Sequence, residues 1–406
     1  MLARSAHLAD AGGSSVPAPM ARGHASMKVL HVAETVIGGI ASHLQEIADA
    51  QANRFGAANV AIIVPEDQVR ELESLSGLLR PFKPAKRRPL SALKLAAATM
   101  SEARRLKPDI IHVHSSFAGV AVRMLPRRLL HGARVIYCPH GWSFAMAVTE
   151  TRRRLYALIE RLLSARCDVI INVSAHERDL ALSYGLPADR LEVALNGIAA
   201  TAAPRHKGRR VAGQPVRLAF VGRPGRQKGL DILLRAMNAL GDRPVMLDVA
   251  GAIAADVDVD LDAAAKDRVH FHGWLERTQA LELIAASDAL VMPSRWEGLP
   301  LTALEAMRAG KAVIASDCCS FGEIVDHGRT GFLFETGNVS ALADTLRGLA
   351  AGRLEEMGKA GRERFMRSFT AEAQERRISE IYQDLARRAD HGVDRDAPAG
   401  SAKGRG

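Results

Sequence analysis

Two glutamates, Glu297 and Glu305, lie eight positions apart in the segment SRWEGLPLTALEAMRAG, residues 294–310. An apolar run precedes this segment, and Pro300 suits the first turn of a helix that would carry Glu305 about one turn from its start. Both carboxylates should then face the same end of a sheet. A carboxylate accepts paired hydrogen bonds from neighbouring hydroxyl groups, such as those of a ribose or a pyranose. Stabilisation of the helix dipole is the alternative role, and it explains Glu297 better than Glu305.

Two cations lie on a glycine-bearing loop in the segment FVGRPGRQKGLDILLRAM, residues 220–237. The predicted strand ends at Gly222, and Arg223 and Lys228 follow before a predicted helix. Free N–H groups and the dipole at a helix N-terminus add to these charges, so the loop predicts an anion site. Its spacing is neither that of a dinucleotide fingerprint nor that of a P-loop. A solvated basic loop remains the alternative.

Further candidates follow predicted strands in the first half of the chain. His140 lies in CPHGW, directly after an apolar run, and Gly38 and Gly39 follow the first apolar run, KVLHVA. Paired glycines at a strand end allow a ligand to approach the backbone closely. The position at a strand end makes His140 a candidate ligand contact, with a purely structural role as the alternative.

The composition is that of a globular protein with two or more domains: 406 residues, 48% hydrophobic and 25% charged. No apolar run reaches the ~18 residues of a membrane span. The four cysteines lack zinc-like spacing, which favours a reducing compartment, and the adjacent Cys318 and Cys319 are predicted to be ordinary small residues. Aromatic residues make up only 4% of the chain, so platforms for base stacking are scarce and nucleic-acid binding is not predicted.

Apolar runs of strand length alternate with segments of helical period along the chain. They begin at residues 28, 59, 109, 133, 168 and 191 in the first half, and at residues 216, 245, 268, 288 and 311 in the second. Val- and Ile-rich strands joined by helical crossovers predict parallel sheets covered on both faces. We therefore expect two doubly wound α/β domains, with ligands bound in the cleft beyond the carboxyl ends of their strands.

The expected domain boundaries follow from composition. Residues 27–198 form the first predicted domain and residues 216–370 the second, joined by the small, basic, Pro- and Gly-containing linker 199–215. Residues 371–389 predict a C-terminal helix, whose packing partner periodicity alone does not identify. Residues 1–26, rich in Ala, Gly, Ser and Pro, predict a disordered lead or a misassigned start, and residues 390–406 predict a disordered tail.

The net charge of +10 is concentrated in the first half, where residues 27–200 carry 23 Lys and Arg against 16 Asp and Glu. Segments beginning at Arg80, Leu125 and Thr151 mix basic residues with apolar residues at helical spacing. They predict peripheral association with anionic lipid, and solvated basic helix faces are the alternative. The acidic run DVDVDLD, residues 256–262, has oxygen ligands suited to a divalent cation. A solvated acidic loop is the preferred interpretation, so no metal is predicted.

Residues 27 to about 389 resemble the group-1 (family 4) glycosyltransferases of GT-B architecture, in which two Rossmann-like domains face a central cleft. The most specific motif is E-x7-E, here EGLPLTALE, followed by AMRAGKAVIASD and EIVDHGRTGFLF. The segment VGRPGRQKGLDILLRA is similar to the family's donor-phosphate loop. The pattern is completed, in order, by GGIASHLQEIA, HVHSSFAG, PHG and VSAHERDLALSYGLPADRLEVALNG.

The resemblance implies a role for each candidate residue. Arg223 and Lys228 would grip the diphosphate of the donor, and Glu305 would bind the ribose hydroxyls of its nucleotide. Glu297 would hold hydroxyls of the transferred sugar. The remaining contacts would come from His140 beside the sugar, Gly38 and Gly39 near the phosphates or the acceptor, Gly222 on the phosphate loop, and the backbone N–H groups of Gly298 and Leu299.

The resemblance also implies a reaction. The family transfers a sugar from a nucleotide diphosphate to a hydroxyl with retention of anomeric configuration, without a metal or another cofactor. Together with the basic charge, it implies a cytoplasmic enzyme, peripheral on the inner membrane face, that extends a lipid-linked or growing saccharide for an extracellular polysaccharide or cell-surface glycan. The chain departs from the family pattern in two places. NGIAA lacks the usual acidic residue after asparagine–glycine, so a contact from that side is missing or supplied elsewhere. AIAADVDVDLDAA replaces a glycine- and proline-rich turn near the expected position of the base, which leaves the choice between uridine and guanosine donors open.

Two other functions remain open. A nucleotide-sugar 2-epimerase of GT-B fold that hydrolyses its donor would form free sugar without an acceptor. A catalytically silent protein would bind a nucleotide sugar without turnover. The intact set of Arg223, Lys228, Glu297 and Glu305 argues against silence.

Overall fold

The computed structural model describes residues 27–85, 88–201, 213–223, 225–251 and 260–390. The predicted lead, most of the predicted linker, the first part of the acidic run and nearly all of the predicted tail lie outside these residues. The described residues form two parallel α/β sheets, each with its own flanking helices. The predicted GT-B fold is therefore confirmed.

The first domain contains a seven-stranded parallel sheet that is buried on both faces. Its strands are β1 (Val29–Ala33), β2 (Val60–Pro65), β3 (Leu79–Phe82), β4 (Ile110–His114), β5 (Arg134–Cys138), β6 (Val169–Asn172) and β7 (Leu191–Val193), in the order β3-β2-β1-β4-β5-β6-β7. Its helices are α1 (Gly39–Phe55), α2 (Arg88–Leu106), α3 (Ser116–Arg123), α4 (Glu150–Ser164) and α5 (Ala175–Ser183). Val29 packs into one core and Leu30 into another, which explains why the strands are apolar on both faces.

The second domain repeats this plan with six strands. They are β8 (Val216–Val221), β9 (Val245–Ala250), β10 (Val269–Gly273), β11 (Ala289–Met292), β12 (Ala312–Ser316) and β13 (Gly331–Phe334), in the order β10-β9-β8-β11-β12-β13. The helices are α6 (Leu230–Asn238), α7 (Ala263–Lys266), α8 (Arg277–Ala286), α9 (Leu301–Arg308), α10 (Phe321–Ile324), α11 (Val339–Arg347) and α12 (Ala351–Ser368). Strand order reverses between β1 and β4 and between β8 and β11, where ligand crevices form in such sheets.

Two strands escaped the sequence analysis, and both lie at a sheet edge. β3 has the sequence LRPF, and its Arg and Pro disguise it as the start of a basic segment. Pro81 is tolerated because an edge strand leaves one row of backbone groups unpaired within the sheet. β13, with the sequence GFLF, is only four residues long and half-buried at its centre.

The C-terminal helix α13 (Ala371–Asp390) returns to the first domain and packs against α1. The chain crosses between the domains beside an earlier crossing, because Ile198 donates to Phe369 O (3.1 Å) and accepts from Ala371 N (2.9 Å). A Cβ on Gly197 would lie 2.2 Å from the carbonyl oxygen of Thr370, so only glycine permits this close approach. Helical periodicity could not identify this partner.

Candidate functional site

The two domains meet at the carboxyl ends of their sheets. The Asn196 side chain donates to the carbonyl of Leu299 (3.0 Å), which links the end of the first domain to the loop before α9. On the other side, the Glu323 carboxylate accepts from the backbone N–H groups of Ala175 and His176, both at 2.8 Å. The negative charge of this carboxylate also interacts favourably with the dipole of α5 at its N-terminus. These contacts close one side of a cleft between the domains.

Lys228 and Glu297 form the central polar contact of the second domain. Lys228 Nζ lies 2.6 Å from Glu297 Oε1, and the side chains are 22% and 8% exposed. Ser294 Oγ also donates to Glu297 Oε1, at 3.0 Å. The Lys228 side chain lies against Gly222, where a Cβ would come within 3.7 Å of it. The structure thus brings Gly222, Lys228 and Glu297 together.

The loops carrying Lys228 and Glu297 are fastened to each other. The Arg295 guanidinium donates to both carboxylate oxygens of Asp231 (2.8 and 2.7 Å), and this contact lowers the pKa of Asp231. Gln227 donates to the carbonyl of Trp296 at 3.1 Å. Gly229 has a φ of 67°, and a Cβ there would lie 1.9 Å from the carbonyl oxygen of Pro293. Glycine therefore allows the loop before α6 to reach the loop before α9.

Arg223 spans the cleft toward the glycine pair of the first domain. Its Nη2 lies 3.8 Å from the position of a Cβ on Gly38, whose φ is 74°. Gly39 is the first residue of α1, so the free N–H groups of that helix begin here. The structure thus places Gly38 and Gly39 near the exposed Arg223, which follows Gly222.

Gly298 of the second domain lies close to residues of the first domain. A Cβ on Gly298 would be 3.0 Å from Glu177 Oε1 and 3.5 Å from the backbone nitrogen of Gly141. The neighbouring Leu299 is buried, and its carbonyl is the acceptor for Asn196. Gly298 and Leu299 therefore face the His140–Gly141 turn of the first domain.

Glu305 lies in surroundings different from those of Glu297. It is on α9, which begins at Leu301, directly after Pro300, and its side chain is 14% exposed. Arg277 Nη2 lies 3.4 Å from Glu305 Oε1, and Arg277 also donates to Gln45 of the first domain at 3.4 Å. Burial raises the pKa of Glu305, while Arg277 opposes that shift. The carboxylate is thus tied to the opposite wall of the cleft.

His140 follows β5 with a φ of 51°, and it lies among histidines that the sequence analysis missed. Its Nε2 is 2.9 Å from Nδ1 of His114, and its ring lies edge-on to that of His43, with centroids 4.4 Å apart. Burial lowers the pKa of His140 to about 4, so the ring is neutral near pH 7. The HVH sequence of β4 could have indicated this cluster, because alternate residues of a strand lie on one face and His112 and His114 therefore point the same way.

Glu177 is a second residue that the sequence analysis missed. Its Oε2 accepts from Val173 N at 3.0 Å, and burial raises its pKa to about 7. Oε1 is buried without a hydrogen-bond partner among the described residues, next to the position facing Gly298. The sequence offered no reason to assign Glu177 to the site, because S-A-H-E has the form of a capping box, which is a purely structural role. Ser174 Oγ does accept from Glu177 N (3.1 Å).

Cys319 belongs to the site, although the sequence predicted an ordinary small residue. Its sulfur accepts from the backbone N–H of Glu297 at 3.4 Å, and its proximity raises the pKa of His176 of the first domain. Cys318 and His176 lower the pKa of Cys319, while the Cys318 thiol donates to the carbonyl of Ser294 at 3.1 Å. Cys319 therefore lies between the Glu297 loop and the opposite domain.

Two parallel-sheet domains facing each other across such a cleft define the GT-B architecture. The solved structure of Anabaena Alr3699/HepE in complex with UDP matches the chain with a TM-score of 0.72 at 18% identity. The match covers 88% of this chain and 100% of that one. This likeness is one of fold.

The sequence comparisons give the family. The family described as Glycosyltransferase Family 4 matches residues 37–201, and that described as Glycosyl transferases group 1 matches residues 215–351. An uncharacterized 41.2 kDa protein in the cps region of Klebsiella pneumoniae is 31% identical over 323 residues, 77% of this chain and 87% of that protein. The amylovoran biosynthesis glycosyltransferase AmsK of Erwinia amylovora is 24% identical over 314 residues, 73% of this chain and 75% of that protein. The chain belongs to the group-1, family 4 glycosyltransferases and is a transferase enzyme.

Proposed function

We propose that this glycosyltransferase moves a sugar from a nucleotide-diphosphate sugar to a hydroxyl acceptor with retention of anomeric configuration. The proposal rests above all on the grouping of Lys228, Arg223 and the N-terminus of α1 around Gly222 and Gly38. Two cations and a row of free N–H groups favour a diphosphate at this end of the cleft. A leaving diphosphate gains negative charge in the transition state, where preorganised cations help most.

The other site residues fit contacts to the donor. Glu305, tied to Arg277, would accept from the ribose hydroxyls, and Glu297, held by Lys228, would accept from hydroxyls of the sugar. His140 would lie beside the same sugar. The acceptor hydroxyl would attack the anomeric carbon on the face that the diphosphate leaves. Its proton would pass to the leaving phosphate oxygen, so no protein nucleophile is required.

A metal is not needed in this proposal, because Arg223 and Lys228 supply the positive charge. Two described acids of the 256–262 run have ordinary contacts: Asp262 caps α7 by accepting from Ala265 N (2.7 Å), and Asp260 lies 3.5 Å from Lys266 Nζ. Turnover should therefore persist in EDTA. Loss of turnover in EDTA, with recovery on adding Mg²⁺ or Mn²⁺, would contradict this part of the proposal.

The acceptor we propose is a lipid-linked or growing saccharide, as in polysaccharide or cell-surface glycan assembly. The cps-region protein and the amylovoran glycosyltransferase among the relatives favour this setting. Exposed leucines on helix α4 of the first domain also favour an acceptor held at a membrane. Leu155, Leu158 and Leu162 of α4 are 51%, 50% and 66% exposed. At this spacing they form one outward apolar stripe.

The position of α4 explains why this stripe points outward. On its inner side, the buried Glu160 carboxylate accepts from Arg123 at 2.7 Å and from Tyr137 at 3.1 Å, which fixes the rotation of the helix. The exposed Arg154 and Arg161 flank the leucines. Arginines beside an apolar stripe are typical of helices that lie on anionic membranes. None of the described helices is long and apolar enough to cross a membrane.

Vesicle flotation tests the membrane contact. The full chain should float with phosphatidylglycerol-containing vesicles, more strongly at low than at high salt. Changing Leu155, Leu158 and Leu162 together to Gln should abolish flotation. The matched control is Met366→Gln, which alters an apolar side chain 48% exposed on α12 of the second domain. Flotation that survives the triple change would remove α4 as the contact.

Turnover with labelled UDP- and GDP-sugars tests the reaction, in the presence of a membrane lipid extract and with Glu305→Ala as the control. Label entering the lipid fraction from one donor would identify the donor and support a lipid-linked acceptor. Label released only as free sugar would instead indicate the hydrolysing epimerase. Absence of turnover with every donor would favour the catalytically silent alternative. A titration with nucleotide sugars would then test whether the protein binds them. Retention is read from the anomeric configuration of the product.

A further inference from the structure

Five histidines meet behind the cleft of the first domain. His31 on β1 pairs in register with His112 on β4, and His114 lies two residues further along the same face. His43 on α1 and His140 after β5 complete the group. His31, His112 and His114 have no exposed surface, and burial lowers the pKa of all five rings.

Three of these rings and one amide form a continuous series of hydrogen bonds. Gln51 on α1 is fully buried, and its Oε1 lies 2.7 Å from Nε2 of His31. Nδ1 of His31 lies 3.0 Å from Nε2 of His114. Nδ1 of His114 lies 2.9 Å from Nε2 of His140. Each interior ring therefore uses both of its nitrogens.

This series has a defined direction. An amide oxygen only accepts, so His31 Nε2 carries a hydrogen, and the neutral ring has its lone pair at Nδ1. That lone pair must accept from His114 Nε2–H, which leaves the His114 lone pair at Nδ1. The latter accepts from His140 Nε2–H. The orientation of the Gln51 amide thus determines that His140 has its lone pair at Nδ1.

The His140 ring has one nitrogen, Nδ1, that is not part of this series. No described residue hydrogen-bonds to His140 Nδ1, and solvent reaches it, whereas Nε2 of His43 and of His112 is buried without a partner. The adjoining Gly141 faces Gly298 of the Glu297 loop. His140 Nδ1 is therefore available to a ligand that lies between the two domains.

We propose that Gln51, His31 and His114 are positioning residues that hold His140 as its Nε2–H tautomer and present its Nδ1 lone pair to a hydroxyl group of the bound sugar or acceptor. This proposal rests on the proposed transfer reaction for the identity of the hydroxyl. His43 supports the ring from the side. Its Nδ1 lies 3.2 Å from Asn196 Oδ1 of the closed side of the cleft.

The series suits orientation of a neutral ring and not removal of a proton. The Gln51 amide oxygen is too weak a base to take a proton, so the series ends there. A proton entering at His140 and passed along it would leave a charged ring at His31. Burial disfavours that charge, because it lowers the pKa of His31 to about 4. The series therefore fixes which nitrogen accepts, and keeps it an acceptor in mildly acidic conditions.

Nuclear magnetic resonance of histidine labelled with ¹⁵N in the ring tests the proposal without requiring turnover. In the whole protein with EDTA present, His140 should be protonated at Nε2 and not at Nδ1. The His114→Gln side chain has both an N–H donor and a carbonyl acceptor, so this tautomer should survive. His114→Phe lacks both groups, and Gln51→Leu removes the acceptor that sets the direction. Both should give a mixture of His140 tautomers.

Kinetics supply the second readout. His114→Phe and Gln51→Leu should lower kcat about tenfold, the effect of one misdirected hydrogen bond, and leave donor binding unchanged, whereas His114→Gln should retain kcat. A wild-type His140 protonated at Nδ1, or a His140 tautomer unchanged in His114→Phe and Gln51→Leu, would overturn the proposal. If the tautomers behave as expected while no donor is turned over, the transfer reaction fails and the orienting series stands.

A bound metal is the remaining outcome, and it would also overturn the proposal. Ring nitrogens of His31, His112 and His114 lie within 4.8 Å of one another, as do those of His43, His114 and His140. Neutral imidazoles are good zinc ligands, and coordination would replace the ring-to-ring hydrogen bonds. Elemental analysis of the protein purified without chelator decides this. One zinc per chain, lost in His114→Phe, would assign the cluster to a metal.

Discussion

Lys228 of the loop before α6 and Glu297 of the loop before α9 form an ion pair whose Nζ–Oε1 distance is 2.6 Å. The sequence pattern predicted a role for each residue separately, whereas their contact depends on the fold, which brings the two loops together. The pair connects the residue expected at the diphosphate with the residue expected at the sugar. Removal of the Lys228 charge should therefore destabilise the Glu297 carboxylate, because the Glu297 side chain is only 8% exposed.

Removal of the Lys228 charge should impair turnover more than donor binding. We expect Lys228→Met to lower kcat by roughly 10²- to 10³-fold, the usual range for loss of one transition-state contact. The control is Arg226→Gln, since Arg226 is an exposed cation on the same loop and should change kcat little. Steady-state kinetics with saturating donor measure the effect. A similar loss in both variants would mean that the net charge of the loop, and not the position of Lys228, matters.

Glu305→Gln should weaken donor binding. The amide keeps the shape but loses the charge that strengthens hydrogen bonds to hydroxyl groups, so the KM for donor should rise about ten- to a hundredfold while kcat changes less. Glu282→Gln, at an exposed position on α8, is the control. Titration calorimetry with the free nucleotide diphosphate checks that ground-state binding is affected. An unchanged KM would separate Glu305 from the ribose.

Glu177 should make stability fall as pH rises. Burial raises its pKa from 4.5 to about 7, with His176 and Glu323 nearby, so the native state binds the extra proton. The contribution is complete below pH 4.5 and is lost as pH rises through 7. Relative to wild type, Glu177→Gln should gain about 3 kcal/mol of unfolding free energy between pH 4.5 and 8. Urea unfolding at several pH values measures this gain, and a pH-independent difference would show that Glu177 is ionised throughout.

The buried histidines should have the opposite effect. Burial lowers the pKa of His31 and His140 from 6.5 to about 4, so the unfolded state binds more protons between these values. Stability is complete above pH 6.5 and falls as pH drops toward 4, by about 3 kcal/mol for each ring. His31→Phe should show a shallower pH slope, although its stability at pH 7 is lower. His131→Asn, at an exposed position with φ of 54°, should keep the wild-type slope.

Cys319 should be the reactive thiol of the chain. Cys318 and His176 lower its pKa, whereas burial raises the pKa of Cys138 and Cys167. Iodoacetamide at pH 7 should therefore modify Cys319 first, and its rate should stop rising with pH at a lower pH than for an ordinary thiol. His176→Asn should move this profile to higher pH. Peptide mass spectrometry after timed alkylation gives both results; a rate that rises only above pH 8 would exclude a thiolate at Cys319.

Local pattern predicted the elements of this protein better than their contacts. Apolar runs and glycine-bearing turns located most strands and the loops of Lys228 and Glu297, because these depend on residues close in the chain. The histidine cluster depends on the register that sets His31 beside His112, which is a property of the assembled sheet. Glu177 was hidden because its sequence pattern has a sufficient local explanation in helix capping. Distances between distant segments are not encoded in periodicity.

The double crossing at Ile198 has a mechanical consequence. Both chain connections between the domains pass this one point, where Ile198 bonds to the backbone on either side of Thr370. If the domains rotate about this crossing, the displacement of a residue grows with its distance from Ile198. A swing that parted the domains by a few degrees would leave Gly197 almost still and move the far rim of the cleft most. For a given rotation, the distance of the far rim from Ile198 would then set how widely the cleft opens.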